Sequence, residues 1–318
     1  MANRICIVGT GYVGMATMLG LAELGWAVNG FDIVGDRIAR LRAGVAPYRE
    51  AGIEELLAKH AAAGRLEFFD DVGAATEDCD VIVVAVGTPA RDDGSADLSA
   101  LHTAFGMLTG MAFRRYPSIV VRSTVPPGTC DELAAICVGR ANVVYVPEFL
   151  REGTAVRDFL TPDRIVVGAA SFEAAALYVE LFERLQCPVL LTSRSNAELI
   201  KCGSNAFLAL KISFANEVAN LCEAVGATSD DVLRGIGYDR RIGSEFLNPG
   251  IGFGGPCFEK DVKSLDHVAK AAGSGRELFA ATLRVNESQP KKIVDILERE
   301  LGSLAGRTIG VWGLAFKA

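Results

Sequence analysis

The segment Gly250-Ile251-Gly252-Phe253-Gly254-Gly255-Pro256-Cys257-Phe258-Glu259-Lys260-Asp261 sets one cysteine in a glycine-lined turn, with a lysine three residues on and an aspartate four on. Residues without a Cβ let backbone and ligand approach the sulfur closely. A neighbouring cation favours thiolate over thiol, and the thiolate is the nucleophile. A second chemical motif opens the chain, Gly9-Thr10-Gly11-Tyr12-Val13-Gly14, with the spacing of a dinucleotide-binding turn. A dinucleotide site combined with a nucleophilic thiol points to oxidation of a substrate through a covalent thioester.

The dinucleotide motif is strengthened by its surroundings. An apolar strand pattern precedes it and a helical pattern follows. Gly9 allows the tight turn, Gly11 lets a pyrophosphate reach the helix N-terminus, and Gly14 permits close packing of helix on strand. Asp32 ends the second predicted strand, where a carboxylate accepts from both ribose hydroxyls and repels a 2′-phosphate, so NAD is expected over NADP. Arg37 is expected over the adenine or the ribose edge. Val86-Gly87-Thr88-Pro89 and Ser123-Thr124-Val125-Pro126-Pro127-Gly128 also end predicted strands, and such ends line the ligand crevice of open α/β sheets.

Two further segments place polar residues among apolar ones: Val146-Pro147-Glu148-Phe149-Leu150-Arg151-Glu152-Gly153, and the stretch from Ala197 to Phe207. On a helix, Lys201 and Asn205 share a face; standing alone, that pair would read as a solvated surface. The three histidines, His60, His102 and His267, lie outside any metal-ligand spacing, and His60 and His267 read as helical surface residues. Proton transfer therefore falls to Lys, Glu or Asp. Eight cysteines occur without a Cys-x-x-Cys pair, a pattern of reduced cytoplasmic thiols and not of a disulfide framework or zinc site. All but Cys257 are expected to serve as small core hydrophobes. No metal is implied.

Those residues need a scaffold. The chain has 318 residues, half of them hydrophobic and 22% charged, and a net charge of −7. That suits two or more domains with ample core and argues against a nucleic-acid or polybasic membrane surface. No apolar run approaches the roughly 18 residues of a membrane span. Runs at 4–8, 27–31, 81–86, 118–121, 143–146, 164–168 and 189–192 read as strands. Helical patterns lie around 12–24, 34–43, 53–62, 98–112, 128–138 and 172–185. This alternation predicts a doubly wound parallel α/β sheet of the Rossmann type over 1–195. A helical central domain is expected over 196–304, with long helices at 196–225 and 276–300, the second broken or kinked at Pro290. Residues 305–318 read as the first strand of a further nucleotide-binding α/β domain, so the polypeptide is expected to continue.

Taken together, Gly-x-Gly-Tyr-Val-Gly, Ser-Thr-Val-Pro-Pro-Gly-Thr, Pro-Glu-Phe-Leu-Arg-Glu-Gly, Glu-Leu-x-Lys-x-x-x-Asn-x-x-Leu-Ala, Arg-Ile-Gly and Phe-Gly-Gly-x-Cys-Phe-x-Lys-Asp resemble the UDP-glucose/GDP-mannose dehydrogenase family, in family order across the whole chain. The loop lacks the Gly-Gly-His-Cys-Ile-Pro form of relatives that act on N-acetylated sugars, which favours the glucose branch. The resemblance implies oxidation of the C6 alcohol of a nucleotide sugar to the carboxylate, UDP-glucose to UDP-glucuronate as in polysaccharide biosynthesis, with two NAD reduced.

It also implies the roles. Lys201 and Asp261 position a water that acts as base, and Lys201 and Asn205 steady the oxyanion. Cys257 carries the thiohemiacetal and thioester, Glu148 activates the hydrolytic water, and Thr124 orders it. Tyr12, Val13, Thr88, Thr124, Glu152 and Lys260 join Gly9, Gly11, Gly14, Asp32 and Arg37 at the cofactor. Glu148, Phe149, Leu150, Lys201, Asn205, Phe246, Asn248, Phe253 and Gly254 meet the substrate. Arg241 is implied to reach the neighbouring active site of a homodimer or higher homo-oligomer.

The chain departs from the family at Pro256, where serine is common, and at Glu259, where proline is frequent. The alternatives are a dTDP-glucose or GDP-mannose dehydrogenase, a non-catalytic nucleotide-sugar binding protein, and a two-electron dehydrogenase of the β-hydroxyacid type, which has no use for the cysteine.

Overall fold

The computed structural model describes residues 4–111, 113–274 and 277–313. The chain divides into two compact units, one of residues 1–89 and 97–201, the other of 90–96 and 202–318.

In the first unit, strands and helices alternate as β1 (Ile5–Val8), α1 (Tyr12–Glu23), β2 (Val28–Phe31), α2 (Gly35–Arg42), α3 (Ile53–Ala62), β3 (Leu66–Phe69), α4 (Val72–Thr76) and β4 (Val81–Val84). There follow α5 (Ser99–Thr109), β5 (Ser118–Val121), α6 (Thr129–Ile136), β6 (Asn142–Tyr145), α7 (Ala155–Leu160), β7 (Ile165–Gly168), α8 (Phe172–Leu181) and β8 (Val189–Thr192). One eight-stranded sheet has the order β3-β2-β1-β4-β5-β6-β7-β8. The order reverses between β1 and β4, the switch point at which such sheets open a crevice.

Burial of both faces explains why the central strands read as unbroken Val/Ile runs. Successive residues point to opposite sides: Ile5 and Ile7 join one apolar core, Cys6 and Val8 the other. Val81 and Val83 divide from Ile82 and Val84 in the same way.

The sheet is parallel except at one junction, where β7 runs antiparallel to β6 through Tyr145 and Gly168. β3 is a strand the sequence did not announce. It is an edge strand paired only with β2, only Leu66 of its four residues is buried, and Glu67 breaks the apolar run. His60 corrects the sequence reading: it is fully buried, with Nε2 2.9 Å from Glu23 Oε1. The expectation for the cysteines holds for six of seven, Cys187 being half-buried.

The long helix α9 (Arg194–Val225) passes from the first unit to the second after Lys201. The second unit continues with α10 (Ser229–Gly237), α11 (Phe258–Ala271) and α12 (Leu278–Leu301) around a core of Cys202, Ala206, Ala209, Phe253, Val262 and Leu265. α12 runs on through Pro290 and does not end there. The strand expected at 305–318 is not formed over 305–313, where a turn leads into irregular chain with Trp312 fully exposed; 314–318 lie outside the described residues. Among the described residues, no helix is long and apolar enough to cross a membrane.

α1 reaches its neighbours through absent side chains. A Cβ at Gly20 would lie 2.0 Å from Phe159 Cδ1 on α7. Gly20→Ala should therefore destabilise the first unit by about 1–3 kcal/mol through overpacking. Denaturant titration checks this, and the cost should shrink when Phe159 is also cut back to leucine.

Candidate functional site

The turn after β1 is built by sterics. Gly9 has φ +96°, and a Cβ there would sit 2.8 Å from the Ala85 carbonyl oxygen. A Cβ at Gly14 would lie 1.8 Å from the Gly9 oxygen. Gly11 is different: it is the N-cap of α1, has no side-chain cap, and opens on empty space. An anion could meet the free N–H groups there.

Asp32 is buried at the end of β2. Its Oδ2 accepts from Thr10 N (2.8 Å), Thr10 Oγ1 (3.0 Å) and Arg37 Nη1 (2.7 Å), and its Oδ1 from Val34 N (3.0 Å). Burial raises the carboxyl, but the Val34 and Thr10 donors and Arg37 outweigh it and hold it below its ordinary value. The open Gly11 and the ionised Asp32 fit the phosphates and ribose of a dinucleotide. Arg37 meets Asp32 directly. Thr10, which the sequence left unassigned, supplies two of the donors.

Neighbouring loops are tied to this turn. The Tyr12 hydroxyl lies 3.1 Å from both Glu50 Oε2 and the Arg151 carbonyl, and Glu50 accepts from Gly153 N and Ala155 N at 3.0 and 2.8 Å. Glu50 thereby joins the dinucleotide turn to the loop that carries Glu152, which is itself exposed. Val13 is half-buried in α1. Thr88 Oγ1 donates to the Thr124 carbonyl (2.7 Å) and Ser123 Oγ to the Val86 carbonyl (2.6 Å), fastening the ends of β4 and β5 together.

After β6 the chain brings Glu148 to Lys201 of α9. Lys201 Nζ lies 3.0 Å from Glu148 Oε1, with only 4% and 8% of the two side chains exposed. Glu148 Oε2 accepts from Leu150 N at 2.7 Å. Burial raises the Glu148 carboxyl, while Lys201, the Leu150 N–H and Arg122 lower it further, and the net position is below its ordinary value. Phe149 lies under the same ammonium, 5.4 Å from the ring centre. One turn before Lys201, the fully buried Glu198 accepts from Gly128 N (2.6 Å) and Cys130 N (2.7 Å), so α9 caps α6. Burial pushes the Glu198 carboxyl up. Its place three residues before Lys201 was the signal that could have found it.

In the second unit, Asn205 Nδ2 donates to Asp261 Oδ2 at 2.6 Å, and Lys260 donates to Asp261 Oδ1. Asp261 is 1% exposed. Lys260, assigned above to the cofactor, is thus bonded to the aspartate beside it. Cys257 is the N-cap of α11, and its carbonyl accepts from Asp261 N at 3.0 Å. It is the one exposed cysteine of the eight, at a helix end that favours negative charge.

Phe246 carries a positive φ of 63° without being glycine. With the exposed Asn248, Gly250 and Gly252, it lines a cavity of about 430 Å³. Phe253 is buried and Gly254 exposed. Arg241 is exposed and forks onto Asp239 of its own chain. Among the described residues, no cluster of His, Cys, Asp and Glu could hold a metal ion.

Residues 3–186 match the NAD binding domain, and residues 195–288 the central domain, of the UDP-glucose/GDP-mannose dehydrogenase family. The chain belongs to that family. UDP-glucose 6-dehydrogenase TuaD of Bacillus subtilis is 44% identical over 322 residues, an overlap of 99% of this chain and 69% of the relative. The structure of a UDP-glucose dehydrogenase from the archaeon Pyrobaculum islandicum superimposes with a TM-score of 0.95 at 40% identity, covering 99% of this chain and 75% of that one. A GDP-mannose dehydrogenase from Pseudomonas aeruginosa follows at 31% identity and a TM-score of 0.72, covering 93% and 71%.

In this family member the buried ion pair is open to direct test. Lys201→Met leaves Glu148 charged and unpaired, and should cost about 3–5 kcal/mol of stability. Adding Glu148→Gln should recover most of that loss. Urea unfolding of the two single variants and the double variant measures the coupling.

Proposed function

We propose that this chain oxidises the C6 alcohol of UDP-glucose to the carboxylate, reducing two NAD per sugar, with Cys257 holding the carbon between the two oxidations. The observation that carries the reading is the single exposed thiol, placed at a helix N-terminus one turn before the buried Asp261. Relatives named UDP-glucose 6-dehydrogenase, 38–44% identical over nearly the whole chain, support the substrate.

The Gly9–Gly14 turn and Asp32 would hold NAD, which would supply the hydride acceptor for the two oxidations at C6. Asp261 acts through water on the hydroxyl proton, and Lys201 and Asn205 stabilise the oxygen as it becomes an oxyanion. The Cys257 sulfur then adds to the aldehyde carbon, and after the second oxidation the adduct is a thioester. Glu148 removes a proton from the water that hydrolyses it, and Thr124 orders that water. At rest the Lys201 ammonium keeps Glu148 weakly basic; drawing that charge toward the substrate oxygen frees the carboxylate to act. Phe149, Leu150, Phe246, Asn248, Phe253 and Gly254 surround the sugar nucleotide.

Mixing the protein with NAD and UDP-glucose should yield two NADH per sugar. Cys257→Ser should block the second oxidation and lower turnover by on the order of 100-fold or more, as expected for loss of a covalent nucleophile. Full turnover by Cys257→Ser would discard the thioester. Preference for GDP-mannose or dTDP-glucose in the same assay would move the substrate assignment, and no NADH with any of them would leave a binding protein.

We further infer a homodimer in a reducing, cytoplasmic setting. In the second unit, α9 exposes Phe207, Phe214, Leu221 and Val225 by 60, 46, 61 and 68%. Steps of seven and four keep them on one helical face, the pattern of a helix–helix seam. Arg241 would leave Asp239 to reach the partner's substrate. Phe207→Glu with Phe214→Glu should halve the mass seen by sedimentation; an unchanged mass would remove α9 as the seam.

A further inference from the structure

The loop that delivers Cys257 is held in the second unit by its backbone. Asn286 of α12 takes both polar groups of one peptide residue: its Oδ1 accepts from Phe253 N at 2.6 Å and its Nδ2 donates to the Phe253 carbonyl at 3.1 Å. Asn216 of α9 is 1% exposed, and its Oδ1 accepts from Gly250 N at 2.7 Å. Two helices thus pin the loop at points three residues apart.

The fit leaves no room for a side chain at position 252, while Ile251 beside it points out to solvent. Gly252 has φ +106°, and a Cβ there would lie 2.6 Å from Asn286 Oδ1 and 3.3 Å from the Asn286 carbonyl oxygen. Asn286 also precedes Pro290 by four residues, so its carbonyl receives no helical N–H from that position. The pinned Phe253 passes its placement on. Its ring meets Phe258 edge-on, 6.1 Å between centres and 84° between planes, and Phe258 is the first residue of α11, next to the thiol.

We propose that Asn286 and Asn216 are positioning residues for capture of the aldehyde by Cys257, with Gly252 shaped to admit Asn286. This rests on the reading of Cys257 as the nucleophile. In the capture step the C–S bond forms, the carbonyl π bond breaks, and the thiol proton passes to the aldehyde oxygen, with no change of oxidation state. The step needs the sulfur placed to within about an ångström, and misplacement on that scale costs on the order of 100-fold.

The test uses the whole chain with NAD and UDP-glucose. It compares wild type, Asn216→Ala, Asn286→Ala, Asn286→Asp, Gly252→Ala and Gly252→Ala with Asn286→Ala. Asn286→Ala should lower kcat by about 10- to 100-fold. NADH per sugar should drop from two toward one, with free aldehyde trapped by semicarbazide. Asn216→Ala should shift both in the same direction. Asn286→Asp keeps the acceptor for Phe253 N and loses the donor, so it should fall between wild type and alanine.

Gly252→Ala should copy Asn286→Ala, and the double variant should be no worse than either. A merely structural asparagine would lower the unfolding midpoint and leave the two-to-one stoichiometry of the folded enzyme intact. That stoichiometry in Asn286→Ala, with kcat within about twofold of wild type, overturns the proposal, as do losses that multiply in the double variant. If Asn286→Ala does not fold, Asn286→Asp and Gly252→Ala decide by the same two readouts. Wild type that makes no NADH, or Cys257→Ser that still makes two per sugar, strikes the nucleophile reading itself and not the asparagines.

Discussion

A buried ammonium has to be accompanied by an anion, and Lys201 meets that requirement with Glu148. Taking two such ions out of water costs several kcal/mol each, which their attraction offsets only with good geometry and with partners for the remaining oxygens. Here Leu150 N satisfies the second Glu148 oxygen, and the Phe149 ring meets two cations, Lys201 and the Arg164 guanidinium, the latter 4.0 Å from its centre. The constraint fixes the loop after β6 against the start of α9. Glu198, on the same turns of α9, fixes the start of α6, which follows Thr124. One short stretch of helix therefore sets two of the loops that end strands of the sheet. The arrangement also gives Glu148 its chemistry, because a carboxylate this close to a cation stays ionised yet holds protons poorly.

The central sheet was legible because its strands are buried on both faces. Val81-Ile82-Val83-Val84 is wholly buried, and the glycines at 9 and 14 are dictated by contacts under 3 Å. Legibility failed where burial is one-sided or polar. Leu66-Glu67-Phe68-Phe69 forms an edge strand whose register comes from β2 and not from its own pattern. His60 reads as a surface residue until α3 lies against α1 and Glu23 supplies a partner. α11 was hidden because its buried face is itself polar, with Asp261, Ser264 and Asp266 turned inward beside Val262 and Leu265. The second unit also takes in 90–96, whose Gly94 would bring a Cβ within 3.5 Å of Lys263, a long-range contact that no local pattern encodes.

Asn216 and Asn286 illustrate a further limit. In sequence each is one polar residue on an otherwise ordinary helix, and nothing marks it as holding a loop. Only the pairing with backbone groups shows it: Asn286 meets both the N–H and the C=O of Phe253, and the buried Asn216 accepts from the Gly250 N–H. The helix propensity of asparagine is modest; its presence twice at this loop reflects those hydrogen bonds.

The two departures near Cys257 also resolve physically. Glu259 would oppose a thiolate if its charge faced the sulfur alone, but Lys263 lies one turn on and binds Glu259 Oε1 at 2.6 Å, so the pair is close to neutral at a distance. Such exposed pairs contribute little stability, which leaves local charge as the main effect. Pro256 stands just before the N-cap, where a missing N–H removes no helical hydrogen bond and a fixed φ narrows the conformations of the loop. Gly255 before it has φ +80°, a conformation that admits the turn into α11 without a side-chain clash. Mobility around the thiol is thus limited from both sides, by the proline and by the pinned Phe253, while the sulfur itself stays open to solvent.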